Sequence, residues 1–283
     1  MPAKFLTDFW CSQLTKHVFA GLIGLVALSL PRAAIAEPYW RFEATQADNQ
    51  TSINEDGSLK LRRIFARRVS GNQDRFNLVW AVIPADLYRV WVRVVNIDGI
   101  LPALSQCQGD LAMTGGFSQG RRSKGWVVSD RNVISEFAND FDGGGAFVIS
   151  NNVPQIIRKA DISKQTDIDQ AVQSTPILIF DGKYDGASER EDDASWNRLA
   201  IGVTTEGNII IALVYGPKAT LGDFGRLLID LSQVKNAPSI RAAIGLDSRI
   251  TGTIKLHRSG QHFGAERREF VPNILCFERK VTQ

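Results

Sequence analysis

The chain has 283 residues, of which 44% are hydrophobic and 22% charged, with a formal net charge of +3. That hydrophobic content suffices for a globular core and excludes a disordered chain. The small charge gives no global reason to bind nucleic acid.

The first segment reads as an address. Lys4 and Lys16 make a positive start, diluted by Asp8. Residues 18–30 form an apolar run too short for a comfortable membrane span, and Ala34-Ile35-Ala36 supplies a small-x-small cleavage site. The expectation is a signal peptide at 1–36, a periplasmic or secreted mature chain, and no stable membrane insertion after cleavage. The rival reading is an uncleaved N-terminal anchor. Cleavage removes Lys4, Lys16, Arg32 and Asp8, so the mature charge falls to about +1. Cys11 precedes the apolar run and is not placed as a lipoprotein cysteine. In the mature chain only Cys107 and Cys276 remain. Export permits a disulfide between them, and two buried free thiols are the alternative.

Residues 46–57 read as a polar loop after a short start at 39–44, and 37–75 together as an N-terminal extension. The basic run Lys60 to Arg68 could face an anionic polymer, but export and the small mature charge favour a solvated strand. Residues 76–82 and 88–95 follow as strands joined by Ile83-Pro84-Ala85-Asp86. In the second, Val90, Val92 and Val94 alternate with Arg89, Trp91 and Arg93, the period of a half-buried strand. Further strands are expected at 110–113, 125–129, 146–150, 177–180, 199–204, 208–215, 242–246 and 252–257, with a weak helix at 166–172. One strong helix is expected at 221–235. Leu221, Phe224, Leu227, Leu228 and Leu231 share a face, Thr220 is placed to cap, and Asp223 holds the capping-box position. The predicted fold is α+β: a single β-rich domain over 76–283, with a mixed sheet and a few packed helices.

Several short blocks join a strand to glycine or polar residues. Thr114-Gly115-Gly116-Phe117 can bring backbone amides close to an anion, or simply make a tight turn. Gly143-Gly144-Gly145 and Asp181-Gly182 read as hairpin turns. Asp140 and Asp142 hint at a calcium loop, but the terminal bidentate Glu is missing. Arg198 opens a strand and can present a planar fork to phosphate, or lie salt-bridged on the surface. Asp247 ends another strand, where it can act as a base, orient a hydroxyl or serve as a turn residue. No nucleophile elbow, zinc motif, P-loop or dinucleotide fingerprint is present, so neither a cofactor nor a metal is expected.

In order and spacing, these blocks resemble the phosphodiester glycosidase family, whose pattern runs N-x-G-[FM]-F, Q-S-G-P-x-L-[IV]-x-D-G, an Arg before x-x-x-G-[VI], a helix, and A-x-x-L-D-G-[GS]-x-S. The first is matched by Thr114-Gly115-Gly116-Phe117-Ser118. The second is matched by Gln173-Ser174-Thr175-Pro176-Ile177-Leu178-Ile179-Phe180-Asp181-Gly182. Arg198 to Val203, the helix at 221–235, and Ala243-Ile244-Gly245-Leu246-Asp247-Ser248-Arg249 follow in order. The resemblance implies an exported hydrolase of a sugar-1-phosphodiester. Arg198 and Asp247 would be catalytic. Thr114, Gly115, Gly116, Phe117, Gln173 and Arg249 would bind the anionic glycan or sugar phosphate. Thr114 stands where the family has Asn, and Ser248 replaces the glycine after the aspartate. With Arg249 beside it, the alternative is a degenerate anionic-glycan binder of the same fold.

Overall fold

A computed structural model describes residues 40–43, 49–54, 56–69, 75–186, 195–234, 236–246 and 251–281. The expected signal peptide, Cys11, the acidic stretch Glu189-Arg190-Glu191-Asp192-Asp193, Lys235, Asp247, Ser248 and Arg249 lie outside the described residues.

In chain order the strands begin β1 (Trp40–Glu43), β2 (Asn49–Ser52), β3 (Lys60–Arg68), β4 (Arg75–Ile83) and β5 (Tyr88–Asp98). After the short helix α1 (Ile100–Leu104) come β6 (Leu111–Thr114), β7 (Ser118–Gln119), β8 (Arg122–Ser123) and β9 (Val127–Ser129). Then follow β10 (Asn132–Ser135), β11 (Gly145–Ser150) and β12 (Val153–Arg158). A 3-10 turn at Lys159–Lys164 leads to β13 (Ile168–Ser174), β14 (Ile177–Phe180), β15 (Lys183–Tyr184), β16 (Ser195–Thr204) and β17 (Ile209–Ala219). Helix α2 (Leu221–Asp230) precedes β18 (Ile240–Gly245), β19 (Thr253–Leu256), β20 (His262–Gly264) and β21 (Phe270–Arg279).

These strands form a nine-stranded sheet, two five-stranded sheets and a small hairpin. The large sheet runs β1-β3-β4-β17-β16-β18-β14-β15, with β2 also on β3. The others run β10-β9-β13-β11-β12 and β20-β19-β6-β21-β5. The main core lies between the sheets and includes Val79, Met113, Phe147, Val172, Ile201 and Leu275. The opposite face of the large sheet packs under α2, through Trp80, Ala200, Phe224, Leu227 and Leu228.

Every strand pair among the described residues is antiparallel, which corrects the mixed sheet expected from sequence. The reason lies in where α2 returns the chain. A helical crossover usually sets two parallel strands side by side. Here α2 carries the chain from β17 to β18, and β16 lies between them, antiparallel to both.

Helix α2 starts as its sequence requires. Thr220 Oγ1 accepts from Asp223 N at 2.9 Å, and Asp223 returns the bond to Thr220 N. The α-helix stops at Asp230 and tightens into a 3-10 turn at Leu231–Gln233. Two expectations are overturned. Residues expected as a weak helix at 166–172 fall largely in strand β13, because that segment is buried on both faces and shows no strand alternation. The polar loop expected at 46–57 contains β2, an edge strand paired with β3. The basic run Lys60 to Arg68 is β3, as expected. Its arginines are engaged, Arg62 over the Trp80 ring at 5.1 Å and Arg67 on Glu43 at 2.9 Å.

Cys107 and Cys276 form a disulfide with their Cα atoms 5.6 Å apart. It fastens the segment after α1 to β21 across 169 residues of sequence. Replacing both cysteines with serine should cost about 2–5 kcal/mol of stability by releasing that constraint on the unfolded chain. Urea unfolding of the oxidised protein and the double variant measures it, and equal midpoints would count against a stabilising role.

Candidate functional site

The four sequence blocks meet through a chain of short contacts. Thr114 ends β6 and is 1% exposed; its Oγ1 accepts from Thr253 N at 3.3 Å. Gly115 N donates to Asn273 O at 3.1 Å, and Gly116 N to Asn273 Oδ1 at 2.8 Å. Neither glycine has a positive φ. Close approach is what requires them. A Cβ on Gly115 would overlap Asn273 Oδ1, and one on Gly116 would lie 2.9 Å from Val172 Cγ1 and 3.2 Å from Gln173 O. The expected anion concavity is corrected at these two amides, since both are spent on Asn273. Phe117 sets its ring 5.3 Å from that of Phe141.

Asn273 was not singled out by the sequence reading. It is fully buried in β21 and also donates through Nδ2 to Ser123 Oγ at 2.9 Å. The available signal was a lone amide inside an apolar strand, where a buried polar group needs partners.

Gln173 is also fully buried, at the end of β13. Its Oε1 accepts from Trp126 N at 2.8 Å and Ala138 N at 2.9 Å, and Nε2 donates to Ala138 O at 2.8 Å. Its amide thus pins two loop segments. These segments also contribute Trp126, Phe137 and Asn139 to a cavity of about 820 Å³ shared with Lys159 and Gln165. The next residues extend the junction. Ser174 Oγ donates to Gly245 O at 2.6 Å, and Thr175 Oγ1 donates to Asp142 O at 2.8 Å. Gly245 N donates to Pro176 O at 2.9 Å.

Arg198 lies in β16, 3% exposed, and its Nε donates to Ala219 O at 3.0 Å. Strand alternation puts it on the Ala200 face, the side covered by α2, beside the residue that precedes the Thr220 cap. On the neighbouring strand, Leu246 N donates to Leu199 O at 2.9 Å. The backbone just before Asp247 therefore adjoins the residue after Arg198. Seven residues further on, Thr253 is bonded to Thr114. Leu246 thus lies beside the neighbour of Arg198, and Thr253 beside Thr114. The Arg198 side chain faces α2, whereas the Gln173 amide faces Trp126 and Ala138.

Charges around this junction are mostly committed. Lys124 holds the Asp140 carboxyl below the usual carboxylate range, at 2.6 Å. Lys159 lies 3.5 Å from Asp142. Among the described residues no group of three or more His, Cys, Asp or Glu side chains is arranged to hold a metal.

The phosphodiester glycosidase family model matches residues 108–247, so the chain resembles that family over nearly all of the segment that carries the motifs. The fold is similar to the catalytic domain of zebrafish N-acetylglucosamine-1-phosphodiester alpha-N-acetylglucosaminidase, solved auto-inhibited by its pro-peptide. That match has 15% identity and a TM-score of 0.61, covering 86% of this chain and 89% of that one. A hypothetical protein from Synechocystis matches at 14% identity and a TM-score of 0.54, over 77% of this chain and 62% of that one. No curated protein matches.

Proposed function

We propose that the chain is an exported hydrolase that cleaves a sugar-1-phosphodiester in an envelope or extracellular glycan. The observation that carries this reading is the continuous contact path from Thr114 and Gly116, through Gln173 and Ser174, to Gly245, Leu246 and Leu199. It draws blocks spread over more than a hundred residues to one end of the strands. Export rests on the N-terminal pattern of Lys4, Lys16, the apolar run and Ala34-Ile35-Ala36.

The chemistry suits the residues retained. When a sugar leaves a phosphodiester, the departing phosphate is already acidic and needs little proton donation, unlike an ordinary glycosidic oxygen. A fixed guanidinium at Arg198 stabilises the charge growing on that phosphate. Asp247 activates water or offsets positive charge building on the sugar ring. Release of free sugar from a synthetic N-acetylglucosamine-1-phosphate methyl diester is the direct test. Wild-type protein should turn it over, and Asp247→Asn should reduce the rate by about 10²–10⁴-fold. No release by the wild type across gluco-, galacto- and N-acetyl-configured diesters would overturn the reaction.

Thr114 favours a second reading. Its hydroxyl is buried and accepts from Thr253 N, in the place where the family has Asn. In that reading the fold binds an anionic glycan without cleaving it, and the same assay gives binding without release.

A further inference from the structure

A second concavity lies at the other end of the large sheet. It is bounded by the β4–β5 hairpin, the β9–β10 and β11–β12 turns, the start of β13 and β17, and the residue after β21. From Arg198 to Thr204 strand β16 runs about 20 Å towards it. This site therefore stands apart from the junction described above.

We propose that this trough binds a linear, uncharged oligosaccharide. The cavity holds about 540 Å³, within the usual range for small-ligand sites. It continues into a groove over the β16–β17 turn, which shares Asn151, Asn152 and Lys280 with it and adds Glu206 and Asn208. An open trough suits a chain rather than a compact metabolite.

Its floor and rim differ in chemistry. Val90, Ile149, Ile209 and the Tyr88 ring give a buried apolar floor. One polar group is built into that floor. Gln170 is 4% exposed; its Oε1 accepts from Val92 N at 2.9 Å, and Nε2 donates to Asp130 Oδ1 at 2.8 Å. The second Nε2 hydrogen remains available for a ligand. The rim alternates donors and acceptors: Arg89 on Asp130 at 3.2 Å, Arg131 on Asp169 at 2.8 Å, then Asn151 and Asn152. The vicinal hydroxyls of a sugar both donate and accept, so they match such a rim. Its ion pairs cancel one another, and in the groove Lys280 stands with Asp86 and Glu206. An anion would have to settle beside Asp130 and Asp169. A peptide strand would need a free sheet edge, and this trough is made of hairpin tips.

The turns add a second argument. Asp130 and Arg131 have φ of 47° and 67°, and Asn151 and Asn152 have 50° and 63°. These are two-residue hairpin turns whose second position favours glycine. Arg131 and Asn152 occupy that position at some conformational cost, and both line the trough. Side chains at turn positions that favour glycine point to use.

The test replaces both with glycine. The Arg131→Gly, Asn152→Gly variant removes two rim groups while easing the backbone, so its melting temperature should not fall. Calorimetric titration with uncharged chitotetraose and maltotetraose should give saturable binding to the full chain for at least one of them. The double variant should weaken that binding by about tenfold or more. Absence of binding by both sugars, tighter binding of a sulfated tetrasaccharide, or unchanged affinity in the double variant would each overturn the proposal. Hydrolysis is not read in this experiment, and Arg198→Lys should bind the sugar as wild type does. Failure of the proposed reaction therefore leaves the trough standing.

Discussion

Lysine at position 198 should lower kcat on a sugar-1-phosphodiester by about 10²–10³-fold, the range for losing one fixed charge-stabilising donor set. Arg198 is buried, and its Nε–H is held by Ala219 O at 3.0 Å, which orients the plane of the guanidinium. Lysine keeps the positive charge but offers a point ammonium on a mobile stem in place of a planar fork. If the fork meets charge that appears only as the phosphate departs, kcat falls more than KM rises. A raised KM with kcat intact would instead make Arg198 a ground-state binding group. Lysine is a better probe than alanine, which would leave the Ala219 carbonyl without its donor in a buried setting. Wild-type kcat/KM in the lysine variant, with an unchanged melting temperature, would remove Arg198 from the mechanism.

The strands that face the core on one side were legible because their side chains alternate. β5 shows this directly, with Tyr88, Val90 and Val92 buried between more exposed neighbours. Strands buried on both faces carry no such period. β21 was given no bounds for that reason and because Pro272 interrupts it. The pairing with β5 shifts register between Val271 and Asn273, so the proline sits at the irregularity where a missing N–H does least harm. β13 was read as a weak helix because Ile168, Ala171 and Val172 fall at spacings of three and four. Its two buried glutamines instead point to opposite faces, Gln170 towards β5 and Gln173 towards Trp126. Motif order marked Gln173 and Arg198, but not their surroundings. Asn273 enters only through space, 157 residues from the glycine amide it accepts. Likewise, sequence could ascribe Gly115 and Gly116 to conformational freedom or to close packing, and only the position of Asn273 selects packing.

Gln173 is the point where folding and the site depend on one side chain. Leucine keeps an apolar body of similar volume but leaves Trp126 N, Ala138 N and Ala138 O without their partners. Each deserted group costs about 1–3 kcal/mol when buried, and the lower end applies here because Trp126 and Ala138 are only half-buried. Gln173→Leu should therefore lose about 3–5 kcal/mol at every pH. Glutamate separates the hydrogen-bond argument from simple loss of packing. An ionised carboxylate still accepts from the two amides but faces the Ala138 carbonyl with no proton to give. A protonated one restores all three bonds. Burial and that carbonyl raise the folded pKa above the unfolded one. The rescue is thus complete below the unfolded pKa and is lost as pH rises through the folded value. Urea unfolding of Gln173→Glu should approach wild type near about pH 4 and fall towards the leucine variant near about pH 8. A flat difference between the two variants across that range would mean that Gln173 only fills space, and the loops lining the cavity would then be held by something else.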